Sequence, residues 1–190
     1  YLLNRGVQTA RGCPYRCKFC SVSRYNGTIV RNRDIEEVMQ ELRLARGKPI
    51  GLIDDNFMGA GINGRKRAKA LVKKIIDENL NLKIGAQADL SISDPENEEL
   101  LKLASRAGVK AVFIGFESLS NESLKTMGKS LNLSRGAGSY AERIRKIQDH
   151  GIIVVGAFMI GNDEDDKNSL KRITDFVKSS GINIPQYSIA

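Results

Sequence analysis

Cys13, Cys17 and Cys20 stand within eight residues of one another and are the only three cysteines in a chain of 190 residues. The Cys-x3-Cys-x2-Cys spacing puts three thiols on one loop, where their thiolates can converge on a soft metal centre. Three thiols cannot all pair as disulfides, and the chain lacks the cysteine density of a small secreted scaffold. A structural zinc site usually closes with four protein ligands, but the sole histidine, His150, lies far downstream. It precedes Gly151 at the end of a helical pattern, a usual place for a cation facing a helix C-terminus. Iron–sulfur clusters are normally held by four cysteines. A set of three therefore suggests a cluster with one iron left open to a small-molecule ligand. A zinc- or cluster-stabilised binding module without catalysis is the bland use of the same residues.

Other groups could act beside the thiols. Asp54-Asp55-Asn56 follows an apolar run, and two carboxylates and an amide there could accept hydrogen bonds from a ligand ammonium, or simply cap a turn. Glu117 ends a second apolar run, and a buried acid in that position needs a partner. Gly59-Ala60-Gly61-Ile62-Asn63-Gly64 matches the Gly-x-Gly-x-x-Gly dinucleotide fingerprint, which makes an NAD(P)-binding α/β domain an alternative function. Four residues, Asp55 to Met58, nevertheless separate the first glycine from the strand, whereas the fingerprint turns directly off it. Asp163-Glu164-Asp165-Asp166 suits the approach to a helix N-terminus.

The elements that must position these groups alternate along the chain. Strands are expected at 7–10, 50–54, 82–87, 109–116, 152–160 and 184–189. Helices are expected near 34–46, 65–78, 96–106, 121–127, 139–149 and 166–179. Asp34-x-x-Glu37 and Ser139-x-x-Glu142 read as helix starts, Asp94-Pro95 as a cap followed by proline at the first helical position, and Gly108 as a stop. The run Arg65-Lys66-Arg67, with Lys69, Lys73 and Lys74, reads as the wet face of a helix. A βαβ alternation of this kind implies a parallel sheet covered by helices, with function at the C-terminal ends of the strands. The cysteine loop follows the first strand, where such a fold places a cofactor.

The triad with its Thr9-x-Arg11-Gly12-Cys13-Pro14 lead-in resembles the signature of the radical S-adenosylmethionine (SAM) enzymes. That resemblance implies a partial (β/α)6 TIM-like barrel of parallel strands, here without its last helix. It implies that Cys13, Cys17 and Cys20 hold a [4Fe–4S] cluster whose free iron chelates SAM, and that one-electron reduction cleaves SAM to methionine and a 5′-deoxyadenosyl radical. Phe19, before the third cysteine, is then expected near the adenine. The usual Gly-Gly-Glu is absent, but Asp54-Asp55-Asn56 is similar to the version in members that also carry a cobalamin-binding domain. The same likeness covers Cys20-Ser21-Val22, Arg31-x-Arg33, Gln87 and Gly115-Phe116-Glu117-Ser118. Asp55, Asn56, Gln87, Glu117 and Ser118 are thus expected at the SAM site. Gly156 to Gly161 resembles the family's Gly-x-Ile-x-Gly segment, whose backbone contacts adenine, with Ala157 in place of one glycine. Cobalamin would bind through a domain outside these residues, for methylation or rearrangement at an unactivated carbon. No residue is assigned as general acid or base.

Hydrophobic residues make up 41% and charged residues 27%, an ordinary composition for a globular domain, and no apolar run approaches membrane-spanning length. Residues 1–190 read as one domain, cut at both ends from a longer protein and cytoplasmic. Residues 1–33 carry seven basic side chains and no acidic one, leaving the rest nearly balanced within a net charge of +8. On the family reading, this basic field offsets a thiolate-ligated cluster and steers an acidic electron donor such as flavodoxin or ferredoxin. Nucleic acid is disfavoured, because the patch coincides with the cysteine loop and no recognised nucleic-acid module accompanies it. A small molecule is the expected substrate.

Overall fold

A computed structural model describes residues 5–190. Six strands form one sheet: β1 (Gly6–Val7), β4 (Pro49–Leu52), β5 (Lys83–Gln87), β6 (Val109–Glu117), β7 (Ile153–Ile160) and β8 (Ile184–Ile189). They lie in that spatial order, and every neighbouring pair is parallel. This is the expected α/β architecture, an open partial barrel rather than a closed one. Two further strands, β2 (Ala10–Arg11) and β3 (Arg31–Asn32), pair antiparallel as a short separate ribbon.

The helices are α1 (Val22–Tyr25), α2 (Ile35–Leu44), α3 (Gly61–Asp77), α4 (Glu98–Ala107), α5 (Asn121–Thr126), α6 (Ser130–Arg135), α7 (Tyr140–Asp149) and α8 (Ser169–Ser180). The longer ones are amphipathic and bury one stripe each: Val38, Met39 and Leu42 of α2, Leu71, Val72 and Ile75 of α3, Ile144 and Ile147 of α7. These meet the apolar sheet, with Val112, Ile114 and Phe116 of β6 and Val154 and Phe158 of β7 all at 0% exposure. Burial at this scale stabilises by about 1.5–3 kcal/mol per large side chain.

The sequence-based elements recur with local departures. The expected strand 7–10 divides into β1 and β2. The break has a cause: Asp54, past the end of β4, accepts hydrogen bonds from Thr9 N (2.5 Å), Thr9 Oγ1 (2.5 Å) and Ala10 N (3.1 Å). The chain is drawn off the sheet at that point. Helix α3 begins at Gly61, four residues earlier than expected, because Gly59 and Gly64 pack against each other and let the glycine run wind into its first turn. Its basic face is not wholly wet, since Arg67 turns inward to the carbonyls of Thr9 (3.0 Å) and Arg33 (2.8 Å).

Capping also differs in detail. Asp34 accepts from Glu36 N and Glu37 N as expected. Asp94 makes no cap bond, because Arg135 (2.5 Å) and Arg143 (2.6 Å) occupy its carboxylate. Pro95 therefore opens a 3₁₀ turn before α4 begins at Glu98. Ser139 likewise makes no cap bond to the α7 backbone: its hydroxyl lies against Arg135 O and Gly136 O and accepts from Arg143 Nε (3.0 Å). The acidic run before the last helix serves the loop, with Asp165 accepting from Gly161 N and Asn162 N. His150 caps α7, with Nδ1 2.9 Å from Lys146 O and Nε2 3.1 Å from Glu98.

Gly108 ends α4 in the left-handed region (φ +101°), and a Cβ there would lie 2.0 Å from Leu82 O. Both the dihedral and the close approach to β5 demand glycine. Gly108→Ala should cost roughly 3 kcal/mol in urea unfolding. An unchanged midpoint would show that the α4–β6 turn tolerates a side chain.

Candidate functional site

Side chains from the C-terminal ends of β4, β5 and β6 meet the cysteine loop around a cavity of about 230 Å³. The loop runs between β2 and β3, so the antiparallel ribbon closes its base. Asp55 holds the interior, accepting from Gly12 N (2.7 Å) and from Asn26 Nδ2 (3.0 and 3.2 Å). Backbone bonds from Cys13 N to Gly27 O (3.3 Å) and Lys18 N to Met127 O (2.8 Å) fasten the loop to itself and to the segment after α5.

Cys13, Cys17 and Cys20 are free, half-buried thiols, and all three line the cavity. Among the described residues, no three Cys, His, Asp or Glu side chains converge closely enough to hold a single metal ion. Burial pushes the Cys13 thiol up to about 11. It raises Cys17 as well, against the pull of the nearby Lys129 ammonium. Without a cation, both are protonated near neutral pH, and metal binding would have to displace the protons. Soft donors, an open approach and a basic surround fit the cluster that the spacing suggests.

Beside Cys17 and Phe19 stands an ion pair. Glu117, 6% exposed, meets Lys129 at 3.0 Å, and Lys129 also lies 5.8 Å from the Phe19 ring centroid. Glu117 is one of three described non-glycine residues at positive φ (+66°), where β6 slips register against β7. Such a conformation costs roughly 1–2 kcal/mol for a side-chain-bearing residue. Gly115 makes the pair possible: a Cβ there would lie 2.0 Å from Glu117 Oε1 and 2.8 Å from Lys129 Nζ. A buried carboxylate beside an ammonium, with one edge open to a cavity, complements the ammonium and carboxylate of a bound amino acid.

The remaining candidates divide. Phe19, Asp55, Asn56, Gln87 and Glu117 all line the cavity. Asp55 and Asn56 are already engaged, Asn56 Nδ2 donating to Asp89 (2.7 Å) and its Oδ1 accepting from Met58 N (3.1 Å). Ser118 lies just outside, with its hydroxyl accepting from Ser120 N (3.0 Å). Gly156 packs behind the sheet against Ile182 and Phe116, and Gly161 sits at the exposed end of β7. Neither glycine is among the lining residues.

Several lining residues escaped the sequence reading. Lys129 and Asn132 come from the segment after α5, which had no recognisable motif. Tyr15, inside the cysteine spacing, is pushed well above its ordinary pKa by burial and the adjoining Asp89 carboxylate. Behind the cavity, burial tends to raise Asp94, but Arg135 and Arg143 outweigh it and hold the carboxyl below the usual range.

A depressed folded-state pKa contributes stability that is present above the unfolded value, near 4, and is lost as pH falls through the folded value. Asp94→Asn should therefore cost about 2 kcal/mol at pH 7. The gap from wild type should shrink as pH falls below about 4. Urea melts at several pH values test this, and a pH-independent gap would contradict the assignment.

Comparison with known proteins adds an independent line. Residues 7–177 match the family described as the Radical SAM superfamily. The chain is 28% identical over 185 residues to the bacteriochlorophyllide d C-12(1)-methyltransferase of Chlorobaculum tepidum, covering 96% of this chain and 39% of that protein. To the hopanoid C-2 methylase of Rhodopseudomonas palustris it is 30% identical over 191 residues, covering 96% and 34%. Its fold overlays the radical SAM methyltransferase TsrM of Kitasatospora setae, solved with cobalamin and a [4Fe–4S] cluster. The TM-score is 0.83 at 19% identity, over 97% of this chain and 36% of that one. Against the cobalamin-dependent SAM radical enzyme OxsB, solved with aqua-cobalamin, the TM-score is 0.77 at 25% identity, over 95% and 27%. The chain thus spans less than half the length of these relatives.

Proposed function

Because the chain belongs to the radical SAM superfamily, we propose that Cys13, Cys17 and Cys20 hold a [4Fe–4S] cluster and that the adjoining cavity binds SAM. The cluster, when bound, supplies the electron that splits SAM into methionine and a 5′-deoxyadenosyl radical. The observation that carries this reading is the juxtaposition of three free thiols on a ribbon-closed loop with the buried Glu117–Lys129 pair across one cavity.

This chain's residues bind and orient. Glu117 accepts from the SAM ammonium and Lys129 donates to its carboxylate, so an amino-acid zwitterion satisfies both members of the pair. Phe19 and Gln87 border the space for the nucleoside. Asp55 positions the ligand indirectly, by fixing Gly12 and Asn26 and hence the loop that bears the thiols. Asn56 does the same through Asp89. Ser118 and Gly161 shape the ends of β6 and β7, and Gly156 lets β7 pack closely against Ile182 and Phe116. The apolar lining, including Phe113 and Leu131, limits water around a reactive species.

Residues 1–190 then form the radical-generating core of a longer cytoplasmic protein. Its relatives' names favour methyl transfer to carbon on a small molecule, with cobalamin bound by a segment outside this chain. Arg11, Arg16, Lys18, Arg24 and Arg31 are exposed on or beside the cysteine loop. Such a rim favours approach of an acidic flavodoxin or ferredoxin, with association that weakens as salt rises. Among the described residues no helix is long and apolar enough to cross a membrane.

Anaerobic reconstitution with iron and sulfide tests the reading. The expected result is a brown absorption band, an electron-paramagnetic-resonance signal perturbed by SAM, and dithionite-dependent release of 5′-deoxyadenosine. Cys17→Ala should assemble no stable cluster and lose that release by at least a hundredfold, about 2.7 kcal/mol in barrier terms. Stoichiometric zinc with no cluster, or SAM cleavage retained in Cys17→Ala, would overturn it.

A further inference from the structure

Ser118 N donates to Phe116 O (2.9 Å) and closes the turn at Glu117 locally, and the fold adds a brace from α6 and α7. Where β6 slips register before Glu117, the carbonyls of Gly115 and Phe116 are met by a side chain. Asn132 Nδ2 lies 3.0 Å from Gly115 O and 3.3 Å from Phe116 O. The same nitrogen is 3.1 Å from Tyr140 Oη, and the Tyr140 hydroxyl donates to Phe116 O at 3.3 Å. Asn132 is 1% exposed and Tyr140 0%. The Tyr140 ring is held edge-on to Phe116, with centroids 4.9 Å apart.

A buried amide amid apolar side chains loses its hydration and is retained only where its hydrogen bonds are made. Here those bonds converge on the two peptides immediately before the strained residue. Releasing them lets Glu117 relax out of the left-handed region and swing its carboxylate from Lys129 and the cavity. We propose that Asn132 and Tyr140 are positioning residues for ligand binding: they hold the Gly115–Phe116 backbone so that Glu117 presents its carboxylate to the ammonium of SAM. The inference rests on the proposed SAM site but assigns these two residues a task of their own. Neither needs to touch the ligand's amino-acid group.

The test uses the purified chain, reconstituted anaerobically, and reads SAM binding rather than turnover. Titration with SAM is followed through its perturbation of the cluster's electron-paramagnetic-resonance signal, beside iron content and melting temperature. Asn132→Leu keeps the volume and removes the donors. It should retain full iron content and weaken SAM about tenfold. Tyr140→Phe, which keeps the ring packing, should weaken it about threefold and serves if Asn132→Leu does not fold. Ile147→Val, about two turns along α7 from Tyr140 and not among the cavity-lining residues, provides a variant that loses stability alone and should bind SAM as wild type does. Wild-type affinity in Tyr140→Phe or a folded Asn132→Leu, or an equal loss in Ile147→Val, would overturn the brace. A wild-type chain that assembles the cluster yet shows no SAM perturbation would instead overturn the site reading beneath it.

Discussion

Asp54, 2% exposed at the end of β4, takes two backbone N–H groups and a hydroxyl from Thr9 and Ala10. Much of the site depends on that contact. It lies where the chain leaves the sheet after β1 and enters the ribbon that carries the cysteine loop. Burial raises the Asp54 carboxyl despite these bonds, while Arg67 on α3 works in the opposite direction. Arg67 also ties the carbonyls of Thr9 and Arg33, one at each flank of the cysteine loop. A carboxylate and a guanidinium, each drawn partly out of water, thus fix where the loop begins and ends. Desolvated charges of this kind specify geometry more dependably than they add stability.

The next residue extends the same logic into the loop. Asp55 is oriented by β4 and spends its oxygens on Gly12 and Asn26, so adjacent carboxylates anchor successive parts of the thiol-bearing segment. The loop with three thiols is thereby tied to the end of a parallel strand buried in the sheet. The Glu117 end is organised differently. There the strand itself is distorted, and the distortion is held by Gly115 from within and by Asn132 and Tyr140 from outside. Strain at a cavity-lining residue persists only where its surroundings over-determine it.

The pattern of elements was legible because apolar periodicity and cap residues are local signals. β6, β7, α4 and α7 lie within two or three residues of their expected bounds. The cysteine triad and Glu117 were legible for a related reason: soft donors at short spacing, or an acid at the end of an apolar strand, stand out against any background. Lys129, Asn132 and Tyr15 did not stand out, because a lysine, an asparagine or a tyrosine is ordinary in a loop or short helix. Asp55 and Asn56 were legible as polar groups at a strand end, yet their actual bonding to the loop and to Asp89 was not.

The sequence by itself therefore determined the donor chemistry and the βα alternation, since thiol spacing and hydrophobic period are properties of neighbouring residues. The tertiary structure alone decided which polar groups meet. Thr9 finds Asp54 across 45 positions, Asn56 finds Asp89 across 33, and Glu117 finds Lys129 across 12. Such pairings are set by sheet order and by which strand ends converge on the cavity, quantities that no local pattern encodes. The cysteines announce three soft donors at short spacing. Only the folded chain brings the Glu117–Lys129 ion pair into the same cavity.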